Sequence, residues 1–262
     1  MKTPSQRENG IVAVMDALGA ASYGDAEIRR FMNSRDVVME MFNAKAEDVL
    51  GISASMVTTF TFNDTIVIVL RTGDQEPQLK QVSDFFTIMR KFMVDSLQHG
   101  ILFRGAVAIG TFHVNEQTNT VMGQAVTDAA AWYNKAEWMG LHATPRATLV
   151  IDRCLEHDHV TKGNVMLDYG VPLKDGATVR AKVVNWPKVF FVNSIRPCDS
   201  DDEAKEKFLE FLSVHPVPLG TEKKYFNTVD FFDFAVNKIK DQEKGPTSGS
   251  SVRSARGGPR VR

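Results

Sequence analysis

Between the strand-like runs "SASMVTTFTF" (53–62) and "TIVIVLR" (65–71) stand only Asn63 and Asp64. Both runs are rich in β-branched and aromatic residues, and Asn and Asp tolerate the left-handed backbone that the shortest turns require. The pair therefore predicts a tight antiparallel hairpin. A second constraint comes from "IVAVM" (11–15), a continuous apolar run of the kind found in strands covered on both faces. It ends in Asp16, followed by Ala17, Leu18, Gly19 and Ala20. A carboxylate at the end of a buried strand is costly unless something cationic meets it. Asp16 is therefore the cap of a following helix, a solvated strand end, or a metal ligand beside a loop that cradles phosphate.

Helical spacing governs the segments around these strands. Ile28, Phe31, Met32, Val38, Met41 and Phe42 recur at that spacing through 25–50, predicting an amphipathic helix. A second helix is expected over 78–99, with Leu79, Val82, Phe85, Phe86, Met89, Phe92, Met93 and Leu97 on its buried side. "ILFRGAVAIG" (101–110) reads as a strand, "TFHVNEQTNTVMG" as a turn and return strand, "QAVTDAAAWYNKAEWMG" (124–140) as a third helix, and "RATLVID" (146–152) as a closing strand. The order β-α-β-β-α-β-β-α-β begins with the six elements of a ferredoxin-like split β-α-β fold. The expected class is α+β, a mostly antiparallel sheet with helices packed on one face.

Downstream, "VRAKVVNW" and "KVFFVN" read as strands, and 202–213 and 225–240 as helices. These are expected to be additions to the same domain, which would span 8–244 with a core over 10–152 and an elaboration over 153–244. The last stretch, "GPTSGSSVRSARGGPRVR" (245–262), has four arginines, no acids and almost no apolar residues, the composition of a disordered basic tail.

Composition narrows the class of function. With 43% hydrophobic residues, 24% charged and a net charge of −1 over 262 residues, the chain is an ordinary globular sequence, and no global field argues for nucleic acid or an anionic membrane. No apolar stretch approaches the ~20 residues that span a bilayer. The polar start "MKTPSQRENG" leaves no room for a signal peptide. Cys154 and Cys198 make no disulfide framework. A cytoplasmic enzyme is the expectation.

In a split β-α-β sheet the first strand is central and lies beside the third, so Asp16 and Asp64 meet at one sheet edge. Two carboxylates there repel, and Mg²⁺ or Mn²⁺ resolves the conflict, because such ions combine one or two carboxylates with substrate phosphates. The small residues at 17–21 then read as a turn whose amides, at a helix N-terminus, face a polyphosphate. Other signals point elsewhere or nowhere: there is no G-x-x-x-x-G-K-[ST] loop, and His157 and His159 in "LEHDH" stand without a third ligand and read as a solvated loop.

Taken together, "VAVMDALGA", "FTFNDTIVIV" and "ILFRGAVAIG…VMGQAVTDAAAWYNKAE" resemble the class III nucleotide cyclase catalytic domain over about residues 10–152. The resemblance implies two metal ions per site, Mn or Mg, held by Asp16, the adjoining Ala17, and Asp64. It also implies a homodimer whose partner completes each site. The family's purine-reading lysine falls on Phe60, its base-reading aspartate on Thr120, its transition-state asparagine on Thr127, and the arginine one helical turn further on Ala131. A site that keeps metal ligands but lacks purine readers is similar to the bacterial pyrimidine cyclases of the Pycsar anti-phage systems. That implies UTP, with CTP second, as substrate, and a downstream cyclic-nucleotide-responsive effector.

Within this reading Leu18, Gly19 and Ala20 line the substrate, and Phe60, Thr120 and Thr127 border the base. Arg104 stabilises phosphate charge, and Lys135, four residues after Ala131 on the same helix face, supplies the missing cation. Each has a plain alternative: a salt-bridged strand end for Arg104, a solvated lysine for Lys135, a core aromatic for Phe60. A purine cyclase with an unusual pocket and a non-catalytic nucleotide-binding domain stay open.

Overall fold

The computed structural model describes residues 6–20, 23–51, 56–157, 165–193, 201–215, 217 and 219–243. The basic tail, His159, Cys198 and the first residues of the 53–62 run lie outside them.

Strand β1 (Gln6–Ala17) is followed by helix α1 (Asp25–Leu50), the hairpin β2 (Val57–Phe62) and β3 (Thr65–Gly73), helix α2 (Leu79–Gln98) and strand β4 (Phe103–Asn115). The hairpin turn is as short as expected, and Asn63 takes the left-handed conformation (φ 54°). These strands align in the order β2-β3-β1-β4, every neighbour antiparallel, which is the ferredoxin-like arrangement. The fold is α+β, with α1 and α2 packed on one face of the sheet.

Period-two alternation divides β1 between two cores. Ile11, Ala13 and Met15 face α1 and α2, where Phe31, Val38, Phe42, Phe85, Phe86 and Phe92 make a thick apolar layer. Val12 and Val14 face the other way, into a smaller cluster with Phe60, Val67, Val69, Ala108, Phe112, Ala125 and Ala129. The last two belong to α3 (Gln124–Lys135), which follows the short strand β5 (Thr120–Met122) and covers that second face.

Beyond α3 come β6 (Leu141–Ala143), α4 (Pro145–His157), β7 (Met166–Pro172), β8 (Thr178–Val184), α5 (Trp186–Asn193), α6 (Asp201–Ser213) and α7 (Glu222–Glu243). Strand β6 runs parallel to β4, and β8 and β7 extend the same sheet antiparallel.

Two segments expected as strands are helices. "RATLVID" lies in α4, where Ala147 and Ile151 are buried four residues apart and Leu149 is exposed. Its start is fixed by the Thr144 hydroxyl, which accepts the Ala147 amide at 3.2 Å, with Pro145 as the first helical residue. "KVFFVN" lies in α5, behind Pro187 in its first turn. The third helix ends at Lys135 instead of 140, and the strand that follows it is β6, a segment not read as a strand from the sequence. In α1, Phe31 and Phe42 are buried as expected, while Ile28 and Met32 are more than two-fifths exposed. None of the helices among the described residues is long and apolar enough to cross a membrane.

Candidate active site

Asp16 sits on the α3 face of β1, because it continues the alternation of Val12 and Val14. Register places it directly opposite Thr65 of β3 on one side and Arg104 of β4 on the other. The Thr65 hydroxyl donates to Asp16 Oδ1 at 3.5 Å. Arg104 donates twice to Oδ2, from Nε at 3.2 Å and from Nη2 at 3.0 Å. The two side chains are only 18% and 15% exposed. In the chain by itself, the cation that meets this carboxylate is therefore the Arg104 guanidinium. Helix α1 begins after Gly24, so Asp16 is not a helix cap.

Asp64 arrives at the same edge from the hairpin turn. The Ala17 amide donates to its backbone carbonyl at 3.1 Å, which ties the ends of the two motifs together. Among the described residues no hydrogen bond or ion pair engages the Asp64 carboxylate. Both aspartates act on Tyr133 of α3: burial first, then the Asp16 charge, then that of Asp64 push its phenol above the ordinary tyrosine value, with Arg104 opposing. The Arg104 guanidinium lies 5.6 Å from the centre of that ring. Tyr23 feels Asp64 from the α1 side; burial, Glu27 and Asp64 all raise it.

The donor set fits a hard divalent cation. Among the described residues no group of three or more His, Cys, Asp or Glu side chains is disposed to hold a metal. The two carboxylates at this edge suit an ion that completes its shell with water and phosphate oxygens.

The turn after Asp16 departs from expectation. The Leu18 amide donates to Leu102 at 2.8 Å, and the Ala17 amide is engaged by Asp64, so neither faces outward to a phosphate. Gly19 supplies the left-handed residue of the turn (φ 83°), and the Ala20 carbonyl accepts the Tyr23 amide at 3.1 Å. The first turn of α1 carries Asp25 and Glu27, which already complement its positive end and disfavour a further anion there.

Phe60 is 1% exposed inside the second apolar cluster, so its ring has no open face for a base. Thr120, paired with Asn115, lies at the opposite end of β4 from Arg104, roughly 36 Å away at ~3.3 Å per residue. Thr127 is exposed near the start of α3. Lys135 points along its own helix, with Nζ 4.8 Å from the centre of the Trp132 ring, and is not brought to Asp16.

A different lysine, Lys174, lies in the field of Asp16. The turn between β7 and β8 docks on the end of α3 through three backbone contacts: a bridge between Ala136 and Leu173, the Glu137 amide to Pro172 at 2.8 Å, and the Lys174 amide to Lys135 at 2.9 Å. Burial, then the charges of Arg104 and Lys224, lower the Lys174 ammonium from its ordinary value, while Glu137 and Asp16 pull it back. Lys174 therefore shares the field of Arg104 and Asp16, beside Asn134. Helix α7 braces this docking: Lys224 pairs with the Glu137 carboxylate where both are largely buried, and the Thr228 hydroxyl accepts the Met139 amide at 2.8 Å. Neither Lys174 nor Tyr133 stands in a recognisable motif. The only sequence signal for the lysine was "LKDG" (173–176), a polar turn between two strands.

No protein-family profile matches the sequence, and no curated protein matches it. Solved structures do. The adenylyl cyclase CyaB from Pseudomonas aeruginosa is 13% identical, covering 70% of this chain and 96% of that one, with a TM-score of 0.43. The catalytic core of a rhodopsin-guanylyl cyclase with converted specificity, in complex with ATPαS, is 14% identical over 70% of this chain and 98% of that one (TM-score 0.43). A class III adenylyl cyclase-like ATP-binding protein from Pseudomonas aeruginosa is 11% identical over 96% of this chain (TM-score 0.44), and this chain spans about half its length, 47%.

Proposed function

We propose that the chain is a nucleotide cyclase of the class III kind that converts UTP to 3′,5′-cyclic UMP and pyrophosphate. The observation that carries this reading is the convergence of Asp16 and Asp64 at one sheet edge, joined through the Ala17 amide and the Asp64 carbonyl, with Arg104 paired to Asp16 and Lys174 in the field of both members of that pair. Carboxylates for divalent ions next to fixed cations suit the displacement of a polyphosphate leaving group.

In the reaction the ribose 3′-oxygen bonds to the α-phosphorus, the bond from that phosphorus to the bridging oxygen breaks, the 3′-proton passes to solvent, and pyrophosphate departs. Two Mn²⁺ or Mg²⁺ ions, held by the carboxylates of Asp16 and Asp64 with Ala17 adjoining, would lower the pKa of the hydroxyl and offset triphosphate charge. Arg104 offers a planar, always-charged fork to phosphate oxygens. Lys174, in the role first expected of Lys135, presents a point charge to the same oxygens, and Asn134 fixes where it stands.

The pyrimidine choice is supported by the residues at the two purine-reading positions, Phe60 and Thr120, neither of which carries the charge that the family uses to read a purine. The separation of Thr120 from Asp16 along β4 supports a homodimer in which base and phosphates are held by different copies. Residues 8–244 are read as the catalytic unit, and cyclic UMP as a signal to an effector in anti-phage defence.

The test incubates purified protein with each of the four ribonucleoside triphosphates and Mn²⁺, and identifies products by mass spectrometry. Cyclic UMP from UTP supports the reading. A cyclic product from CTP or a purine keeps the chemistry and replaces the base, and no product from any triphosphate leaves a nucleotide-binding domain.

A further inference from the structure

Arg104 contacts Asp16 in a way that bears on how the site loads. Both of its donors end on one oxygen, Oδ2, and the pair is more than four-fifths buried. The opposite register of β1 and β4 fixes the backbones of the two residues against each other, so the pairing follows from the sheet and not from a mobile loop. Asp16 is thus already neutralised in the chain alone, whereas Asp64 has no ion pair among the described residues. A divalent ion that takes Asp16 as ligand must displace the guanidinium from Oδ2 or accept a third positive charge within a few ångströms. Either course is costly in a part-buried site.

Lys174 adds to that cost. It shares the field of Arg104, and the one carboxylate left at this edge, Asp64, is the other ligand the ion needs, so a guanidinium pushed off Asp16 competes with the metal for it. The arrangement has one natural resolution, an incoming anion. Phosphate oxygens pair bidentately with a guanidinium, and a triphosphate beside Lys174 would draw Arg104 away from Asp16 as it neutralises both cations.

We propose that Arg104 is a positioning residue that couples metal and nucleotide loading: it occupies Asp16 Oδ2 in the resting chain, holds the metal seat closed, and releases it when a polyphosphate arrives. The inference rests on the reading of Asp16 and Asp64 as metal ligands and adds a rule of order to it. Metal alone binds weakly, nucleotide opens the seat, and by linkage each ligand tightens the other by the same factor. The site would thereby avoid sequestering divalent ions when no triphosphate is present.

The test measures binding, not turnover. Free Mn²⁺ is followed by electron paramagnetic resonance during titration of the unmodified chain, Arg104→Gln and Arg104→Lys, each checked by circular dichroism, without nucleotide and with a non-cyclisable UTP analogue. In the unmodified chain the analogue should tighten Mn²⁺ binding about ten-fold or more, within the ordinary range of coupling between sites. In Arg104→Gln, Mn²⁺ alone should bind about ten-fold tighter than in the unmodified chain, and the analogue should add little. Arg104→Lys, which keeps the charge but not the two-donor grip, should fall between them and serves if the glutamine variant does not fold. Equal Mn²⁺ affinity in all three without nucleotide overturns the coupling while leaving the metal site in place. No Mn²⁺ binding by any of them, with or without analogue, overturns both the coupling and the metal reading of Asp16 and Asp64.

Discussion

The Lys174 ammonium donates to the Asn134 carboxamide across 3.0 Å, so the turn between β7 and β8 is tied to the last turn of α3. A segment far from Asp16 in sequence thereby puts a cation in its field, while Lys135, which is nearer in sequence, stacks on Trp132 instead.

Lys174→Met should lower kcat/KM for the preferred triphosphate about ten-fold or more, the loss expected when a charge-assisted hydrogen bond of ~1.5–3 kcal/mol is removed. Lys135→Met should change it less than two-fold on the same scale. Steady-state kinetics on the two variants decide between them, and a larger loss from Lys135 would return the role to α3.

Asp64→Asn keeps the turn, since Asn tolerates the same backbone, and removes one carboxylate from a repulsive edge. Cyclase activity should fall at least about a hundred-fold, with unfolding free energy unchanged within ~0.5 kcal/mol. Product formation and urea denaturation check the two halves. A variant that stays active would show that the ions are held without Asp64.

His142 on β6 is fully buried, and burial pushes its imidazole down to about 4. Unfolded, the group titrates near ~6.5. As pH falls between those values the unfolded chain takes up a proton that the folded chain refuses. Stability from this residue is therefore complete above the unfolded value and declines as pH drops toward 4, by about 3 kcal/mol. The melting temperature should fall across that window in the unmodified chain and fall less steeply in His142→Leu. Parallel curves for the two would remove His142 from the acid response.

Gly105 follows Arg104 on β4, where a Cβ would lie 2.6 Å from Met15 Cγ, 2.7 Å from the Val14 carbonyl and 2.8 Å from Leu141 Cδ1. The backbone must shift to admit one. Gly105→Ala should cost about 1–3 kcal/mol and loosen the Arg104–Asp16 register at the same time. Guanidinium denaturation reads the first effect. The second appears as tighter Mn²⁺ binding without nucleotide, and an unaltered midpoint would show that the sheet absorbs the extra carbon.

Much of the architecture was legible because it is encoded locally. The two-residue Asn63–Asp64 connection fixed a hairpin, and the apolar spacing of Phe85, Met89 and Phe92 fixed α2 against the sheet. The misreadings were local too. In "TPRATLVID" the β-branched residues suggested a strand, but Thr144 and Pro145 are a helix start, and Ala147 and Ile151 share one buried side. In "NWPKVFFVN" Pro187 gave the same warning. Short apolar runs fit either period, and the capping residues decide.

What the sequence by itself determined was that Asp16 and Asp64 end adjacent strands at one edge, because a continuous apolar strand and a two-residue turn leave the chain little choice of pairing. Which face Asp16 takes, that Arg104 closes on it, that the amides of Ala17 and Leu18 are already engaged, and that Lys174 lies in the field of Asp16 while Lys135 stacks on Trp132 were decided by the tertiary structure. Those relations join residues far apart along the chain, across three strands and a docked hairpin. Local spacing has no term for the distance or the charge that such packing creates.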